Sequence, residues 1–181
     1  MPDTGVPVDY HSEDQRSTPQ GVIEQLIESY ESRRIDLFEE ILPKDGSFRF
    51  FVAPTFHDAD KGKYTLKETR DTRLQHIDQS EYYYYWEQVV EVDAHDRLFT
   101  QAERIRFELK PVLSDIRKFI DNGDTAAEVL LEDGELRIGR WVDADTVELY
   151  TVPITKQVFL LEKDEDDLWV IKKWYDFSIG S

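Results

Sequence analysis

The sequence predicts the α+β class, with a curved antiparallel sheet of four to six strands wrapped on two or three N-terminal helices. Apart from one early strand, segments with helical spacing of apolar residues come first, and segments with strand-like alternation follow them. This order differs from the alternation of strand and helix that predicts a parallel sheet. With 181 residues, of which 40% are hydrophobic, the chain suits one domain around one core.

A formal charge of −17 limits the partners that the chain can bind. Phosphate binding needs a basic face, so we expect no nucleic-acid partner, and the same charge disfavours anionic membrane surfaces. The charge favours a basic or cationic partner, or is simply that of a well-solvated surface. The absence of cysteine excludes a disulfide, a thiolate nucleophile and a cysteine metal site.

The start of the chain predicts a leader. No apolar run approaches the ~18 residues of a membrane-spanning helix, and no signal-peptide core follows Met1, so we expect a soluble chain without membrane insertion. Residues 1–17 are rich in Pro, Asp and Ser and have no apolar periodicity. They predict a flexible acidic leader, which is followed by a single domain over residues 18–181.

Two helices are predicted next. Thr18 is a suitable N-cap and Pro19 a suitable first helical residue. The apolar stripe of this first helix consists of Val22, Ile23, Leu26, Ile27 and Tyr30. A second, short helix, capped by Asp36 and ended by Pro43, carries the apolar residues Leu37, Phe38, Ile41 and Leu42.

A strand and a polar region follow the second helix. The stretch FRFFVAP, Phe48 to Pro54, is rich in β-forming residues and predicts the first strand. Residues 55–80 are polar and mixed. They predict a loop with one short helix at the capping-box pattern TLKE, Thr65 to Glu68.

The stretch SEYYYYWEQVVEVDAHDRLF, Ser80 to Phe99, joins four consecutive tyrosines to a helical pattern. The stripe with helical spacing is Trp86, Val89, Val90, Asp93, Ala94, Arg97 and Leu98. It predicts a third helix from about residue 84 to 100, with the tyrosines at its start. Four consecutive helical residues span most of a helix circumference, so we expect the surplus rings to cap a pocket mouth or a dimer contact.

The second half of the chain predicts the sheet. In ERIRFELKP, Ile105 and Phe107 alternate with Arg104 and Arg106, and LSDIRKFIDNGDT predicts an insertion-like connection. The triplets EDG and DAD predict turns between further strands, and DEDD, residues 164–167, predicts the solvated tip of a final hairpin. On the last strand, strict alternation predicts that one face carries Val170, Lys172, Trp174 and Asp176. Aromatic residues occur on both faces of this strand, which predicts that other parts of the protein cover both faces.

Two parts of this pattern resemble the nuclear-transport-factor-2-like (SnoaL-like, cystatin-like cone) superfamily, in particular a bacterial branch of it. One is TPQGVIEQLIESYESRRIDLFEEILPKDGSFRFFV, Thr18 to Val52, and the other is the closing hairpin VFLLEKDEDDLWVIKKWYDF, Val158 to Phe177. The resemblance implies a cone in which the helices and the concave face of the sheet enclose a central pocket. The compartment stays open: we expect a soluble protein of the bacterial cytoplasm, or of the cell envelope if a signal segment was removed.

The resemblance also implies candidate site residues. Enzymes of this superfamily place an Asp, His or Tyr in the pocket, where apolar surroundings move its pKa. The candidate catalytic residues in this chain are Tyr30, Asp93 and Asp176. The aromatic residues expected to line the pocket are Tyr85, Trp86, Trp141, Tyr150 and Trp174. Structural alternatives remain open, because Tyr30 is also suited to the core and Asp93 to a surface ion pair with Arg97.

The sequence contains no pattern that calls for a metal or a cofactor. His95 follows Asp93 by two residues, but helical residues two apart point in different directions. No nucleotide-binding, Walker or nucleophile-elbow motif occurs. We therefore expect neither a cofactor nor a metal.

Three functions stay open at this stage. The first, which we favour, is a non-catalytic domain that binds a small apolar ligand or a protein partner and forms a homodimer, as superfamily members commonly do. The alternative is a lyase or isomerase that acts on a small hydrophobic molecule through Asp and Tyr acid–base chemistry. That alternative requires a buried carboxylate that titrates well above ~4. The third is a structural module of a larger envelope assembly.

Overall fold

The computed structural model describes residues 15–52, 65–67, 82–109, 117–119 and 126–176, and the structural statements below refer to these residues. The side chains of residues 82–85 are not among those described. The elements, in chain order, are α1 (Pro19–Ser32), α2 (Ile35–Glu40), β1 (Arg49–Val52), β2 (Thr65–Lys67), β3 (Tyr82–Glu87), α3 (Gln88–Gln101), β4 (Ala102–Leu109), β5 (Arg117–Phe119), β6 (Ala126–Trp141), β7 (Val147–Lys163) and β8 (Trp169–Asp176).

The strands form one eight-stranded sheet in the order β2-β3-β1-β8-β7-β6-β4, with β5 paired to β6. The pairs are antiparallel except β1 and β8, which run parallel. The predicted α+β class, with helices followed by a curved sheet, is confirmed. The sheet has more strands than the four to six expected, because β2 and β3 lie where the sequence pattern predicts helix and β5 lies where it predicts a connection.

The first two helices match the sequence closely. The Thr18 hydroxyl accepts a hydrogen bond from the Gly21 amide at 3.0 Å, and Pro19 opens α1. Of the predicted stripe of α1, Val22, Ile23, Leu26 and Tyr30 are buried, and Ile27 is partly buried against the core. Helix α2 differs in its cap: it begins at Ile35 after Arg34, and Asp36 lies in its first turn, where it pairs with the Arg34 side chain. Residues 1–14 of the predicted leader lie outside the described residues.

The tyrosine run is a strand, and the prediction that it begins the third helix is wrong. β3 pairs with β1 in a register that joins Trp86 to Phe50, and α3 begins only at Gln88. Tyrosine is a strong β-former, and pairing with β1 satisfies the backbone of this segment. The helix predicted at Thr65 is also wrong, since Thr65–Lys67 is β2, paired with β3.

Helix α3 turns a different face to the core from the one predicted. Its buried residues are His95 and Phe99, whereas Val89 is 75% exposed and Val90 is also exposed. Asp93, predicted on the inner stripe, lies on the outer side. The positions that face inward are partly polar, so hydrophobic periodicity identifies the wrong face.

The long hairpin of β6 and β7 forms the centre of the sheet. Its register is continuous from Ala126 opposite Glu162 to Trp141 opposite Val147. The turn predicted at EDG is wrong, because β6 continues through it and Gly134 pairs with Ile154. The turn predicted at DAD is confirmed, and there the Val142 amide donates to the Thr146 carbonyl at 3.0 Å.

A β-bulge changes the faces of the last strand. On β7 and β8 the register shifts so that Leu160 pairs with Lys173 and Leu161 with Ile171, which leaves Lys172 as the extra residue. Trp169 and Ile171 therefore join Trp174 in the main core cluster, although strict alternation separates them. The expectation that both faces are covered holds, because Tyr175 is buried on the other face and stacks on Phe51 at 4.5 Å.

The main core lies between the helices and one face of the sheet. Apolar residues of α1 and α2 and Phe99 of α3 pack there against inward residues of β1, β4, β6, β7 and β8. The backbone before α1 is tied to the sheet, since the Trp169 amide donates to the Arg16 carbonyl at 2.8 Å. None of the helices in the described residues has the length and apolar character needed to cross a bilayer.

Candidate functional site

A cavity of about 260 Å³ lies between the helices and the inner face of the sheet. Its wall is mainly apolar, with a polar end formed by Tyr30, Glu91, His95, Gln157 and Asp176. The remaining lining residues are Phe50, Phe107, Leu131, Leu136, Val152, Pro153, Phe159 and Trp174. A mainly apolar wall with a few convergent polar groups is typical of a small-molecule site.

A buried hydrogen bond joins the two helices at the polar end. The Tyr30 hydroxyl of α1 lies 2.5 Å from Nε2 of His95 on α3. Nδ1 of His95 lies 2.9 Å from the backbone carbonyl of Glu91, which can only accept, so Nδ1 carries the ring proton. Nε2 of the neutral ring is then an acceptor, and the Tyr30 hydroxyl donates to it.

Aromatic rings enclose the His95 imidazole. Phe38 stacks on it with centroids 4.0 Å apart and planes 13° apart, while Tyr30 and Phe99 approach edge-on at 5.3 and 6.0 Å. Burial among these rings disfavours the imidazolium ion and lowers the pKa of His95 to about 4, against the smaller opposing effect of its hydrogen bond to Glu91. His95 is therefore neutral at neutral pH.

Glu91 lies one helical turn before His95 on the same face of α3. Its carboxylate oxygen is 3.5 Å from His95 Nδ1, and its side chain is 12% exposed. Burial, and to a smaller degree the negative charge of Asp176, raise the pKa of Glu91 to about 7. Near neutral pH the carboxyl is thus present in both its protonated and its ionised form, which a general acid or base requires.

The sheet supplies the other half of the polar end. Gln157 on β7 donates from Nε2 to a carboxylate oxygen of Asp176 at 2.6 Å, and its Oε1 accepts a hydrogen bond from the Trp174 indole. The amide thus holds both side chains of β8 in place. The pKa of Tyr30 is raised well above its ordinary value by burial and by the charges of Glu91 and Asp176, so its hydroxyl stays protonated.

Of the three predicted catalytic candidates, two lie at the cavity. Tyr30 and Asp176 line it. Asp93 is 65% exposed and forms an ion pair with Arg97 at 3.2 Å, which is the surface pair that the sequence offered as the alternative to a catalytic role. Among the described residues, no three His, Asp or Glu side chains lie close enough together to hold a metal ion.

Of the aromatic residues predicted to line the pocket, some lie at the cavity and others lie elsewhere. Trp174 lines the cavity, while Trp86 packs on Phe50 at 6.3 Å and is not among the described lining residues. Trp141 is exposed near the end of the long hairpin, and Tyr150 borders a shallow depression that contains Arg104 and Arg137. The side chain of Tyr85 lies outside the described ones.

Sequence reasoning missed Glu91, His95 and Gln157. The first two share a signal with Phe99, because all three recur at a spacing of four residues and so lie on one helical face. That pattern was hidden by the more apolar stripe beginning at Val89. Gln157 carries no comparable signal, since its role depends on long-range pairing of β7 with β8.

The fold and the site define a class of structure: an α+β fold whose helices and curved sheet enclose a small cavity with a polar end. No family model and no curated protein matches the sequence. Solved structures do match it in shape. The chain has the nuclear transport factor 2-like fold.

Three solved structures give the extent of the likeness. A conserved protein from Planctomyces limnophilus aligns with TM-score 0.58 and 7% identity over 92% of this chain and 96% of its own. A nuclear transport factor 2-like superfamily protein from Salmonella enterica gives TM-score 0.52 and 12% identity over 93% and 91%. Nuclear transport factor 2 from Cryptosporidium parvum gives 0.51 and 14% over 92% and 94%. At these identities the likeness concerns the fold.

The hydrogen bond between the helices can be tested by Tyr30→Phe. Removing the hydroxyl leaves Nε2 of His95 buried without its donor, which is expected to lower the free energy of unfolding by about 2 kcal/mol in urea denaturation. Tyr150→Phe removes a hydroxyl from a half-buried ring and should change it by less than about 0.5 kcal/mol. Equal effects of the two substitutions would contradict the assigned role of Tyr30.

The pKa of Glu91 predicts a pH-dependent effect of Glu91→Gln. A carboxyl whose pKa rises from 4.5 to about 7 on folding costs nothing below pH 4.5, and its cost grows as pH rises through the folded value. The variant should therefore gain stability relative to the natural protein between pH 4.5 and 8, by about 3 kcal/mol in total. Urea denaturation at several pH values measures this difference.

Asp93→Asn is the matched control, because Asp93 lies two residues away on the same helix with its side chain in solvent. Its effect on stability should not vary over this pH range. A difference between Glu91→Gln and the natural protein that stays constant with pH would show that Glu91 titrates in the ordinary range.

Proposed function

We propose that the domain binds a small, largely apolar molecule in the cavity, with the polar part of the ligand against Glu91, His95 and Asp176. The observation that carries the proposal is a mainly apolar cavity of about 260 Å³ into which four elements, α1, α3, β7 and β8, direct polar side chains. This volume is near the lower end of the range for ligand sites, so the ligand is a small one.

The arrangement of the polar groups supports ligand binding. Tyr30, His95 and Gln157 are each fixed by hydrogen bonds to protein partners, so the polar end is organised before a ligand enters. Preorganisation of this kind lowers the entropic cost of binding. A purely structural core does not need two carboxylates at one cavity, because burying them costs free energy that a hydrophobic pair would not.

Filling the cavity tests this proposal. Saturation-transfer NMR with a panel of anionic, neutral and cationic one-ring compounds is expected to detect binding to the natural protein. Val152→Phe places a larger side chain in the cavity and should abolish that binding. Thr151→Phe adds the same ring at the neighbouring exposed position, outside the cavity lining, and should preserve it. Absence of binding from the whole panel would overturn the proposal, as would equal binding by both variants.

Acid–base catalysis on the bound molecule is a second candidate. The observation that favours it is Glu91, whose pKa of about 7 lets it exchange protons at neutral pH. Tyr30 and Asp176, two of the catalytic candidates predicted from the sequence, lie close to Glu91. The charge of Glu91 raises the pKa of Tyr30, and the charge of Asp176 raises the pKa of Glu91. In an isomerase reaction, Glu91 would remove a proton from an acidified C–H of the ligand and return it to another carbon of the ligand. In a lyase reaction, the electron pair left by that proton would form a double bond as the neighbouring C–O bond breaks, and Glu91 would return the proton to the leaving oxygen.

Deuterium exchange tests the catalytic candidate. Small cyclic ketones are incubated with the protein in D2O, and loss of the α-proton signal is followed by proton NMR. Acid–base catalysis predicts exchange at least about tenfold faster than in buffer, lost in Glu91→Gln and retained in Asp93→Asn. Ketones that bind in the cavity without accelerated exchange would reject catalysis of this kind and leave ligand binding intact.

A further inference from the structure

We propose that the ligand of the cavity is a small organic cation, a protonated amine carried on an apolar body. The inference rests on the proposed small-molecule binding and names the class of ligand. It follows from the charges, the aromatic walls and the hydrogen-bonding character of the polar end.

Both charged groups among the described lining residues of the cavity are acidic. Glu91 and Asp176 line it, and no lysine or arginine is among the described residues that do so. His95 does not supply positive charge either, because it is buried among aromatic rings and neutral at neutral pH. An anionic ligand would meet two carboxyl groups in a poorly hydrated site, whereas an ammonium group would neutralise them.

Aromatic rings provide the second feature. Tyr30, Phe50, Phe107, Phe159 and Trp174 all line the cavity. The face of an aromatic ring attracts a cation, most strongly for Trp, and clusters of such rings are used to recognise ammonium groups. The wall therefore suits both the apolar body of an amine and its charged head.

The polar groups that face the cavity offer a ligand more acceptors than donors once Glu91 is ionised. The Tyr30 hydroxyl donates to His95, and Nδ1 of His95 donates to the carbonyl of Glu91. The Gln157 amide donates one of its two N–H groups to Asp176. What these groups mainly offer a ligand is the lone pairs of the Tyr30 oxygen and of the carboxylates. A ligand that donates hydrogen bonds is complementary to such a site, and an ammonium group has donors and no acceptor.

The charge of the whole chain acts in the same direction. A formal charge of −17 produces a negative potential that draws cations toward the protein and repels anions. This long-range effect is screened by salt, whereas the interaction with buried carboxylates is screened much less. Comparing the affinities of cationic, neutral and anionic ligands at physiological ionic strength therefore separates binding in the cavity from weak association with the acidic surface.

Binding of a cation is coupled to the protonation of Glu91. Within the described part of the chain, Glu91 is faced by His95 of its own helix, Tyr30 of α1 and Asp176 of β8. Of the other elements packed on α3, β1 and β3 contribute Arg49 and Glu87, which pair with each other at 3.6 Å at the start of the helix, and α2 contributes the uncharged Phe38. A cation favours ionised Glu91, so its affinity should rise as pH increases through about 7.

The experiment compares three probes of similar size: benzylamine, benzyl alcohol and benzoate. Their dissociation constants for the full chain are measured by amide chemical-shift titration at physiological salt, at pH 6 and pH 8. Benzylamine stays protonated throughout, since alkylammonium groups titrate near ~10. At pH 8 we expect it to bind about tenfold more tightly than benzyl alcohol, with benzoate weakest. At pH 6 the preference should fall to about threefold or less.

Substitutions assign the preference to the cavity. Glu91→Gln should reduce the preference for benzylamine to less than about threefold at both pH values and remove its pH dependence. Asp93→Asn removes one negative charge from the exposed side of the same helix and should leave the preference unchanged. A preference that survives in Glu91→Gln would place the cation on the acidic surface and overturn the inference.

The outcomes separate this inference from the proposed function. Benzyl alcohol binding as tightly as benzylamine at pH 8 would overturn the cationic ligand while supporting a small-molecule site. Binding of none of the three probes would count against both. Tight binding of benzoate would show that the carboxyl groups of the cavity do not control its selectivity, and would also overturn the inference.

Discussion

The hydrogen bond from the Tyr30 hydroxyl to His95 is the contact on which the rest of the site depends. It joins α1 to α3 inside the protein and requires an imidazole whose Nε2 is unprotonated. The carbonyl of Glu91 fixes the proton on Nδ1, and the surrounding rings exclude the water that would stabilise an imidazolium ion. A charged His95 would lose the hydrogen bond from Tyr30, so helix packing and the neutral state of the ring support each other.

This constraint determines where protons reside in the folded protein. In an unfolded chain at pH between 4.5 and 6.5, His95 carries a proton and Glu91 does not. In the folded protein the pKa of His95 is about 4 and that of Glu91 about 7, so the proton is on the carboxyl. Folding thus replaces two solvated charged groups with two buried neutral groups. The contributions of the two residues to pH-dependent stability are opposite in sign and largely cancel in this range.

The parts of the fold that obey local rules could be predicted from the sequence, and the site largely could not. Thr18 and Pro19 mark α1 through capping chemistry, and the DEDD turn marks the last hairpin. The inward face of α3 carries Glu91 and His95, so a search for apolar periodicity selects the exposed Val89 instead. The tyrosine strand and the bulge at Lys172 depend on pairing with distant strands, which local sequence does not specify.

The protonation states of Glu91 and His95 determine the chemistry of the site, and NMR measures both of them. Carbon-13 labelling of glutamate carboxyl groups and nitrogen-15 labelling of histidine rings allow both to be followed as pH changes. The account predicts that Glu91 titrates near pH 7, and that His95 keeps the neutral form with a proton on Nδ1 down to about pH 4. Titration of His95 near 6.5, together with Glu91 near 4.5, would contradict it.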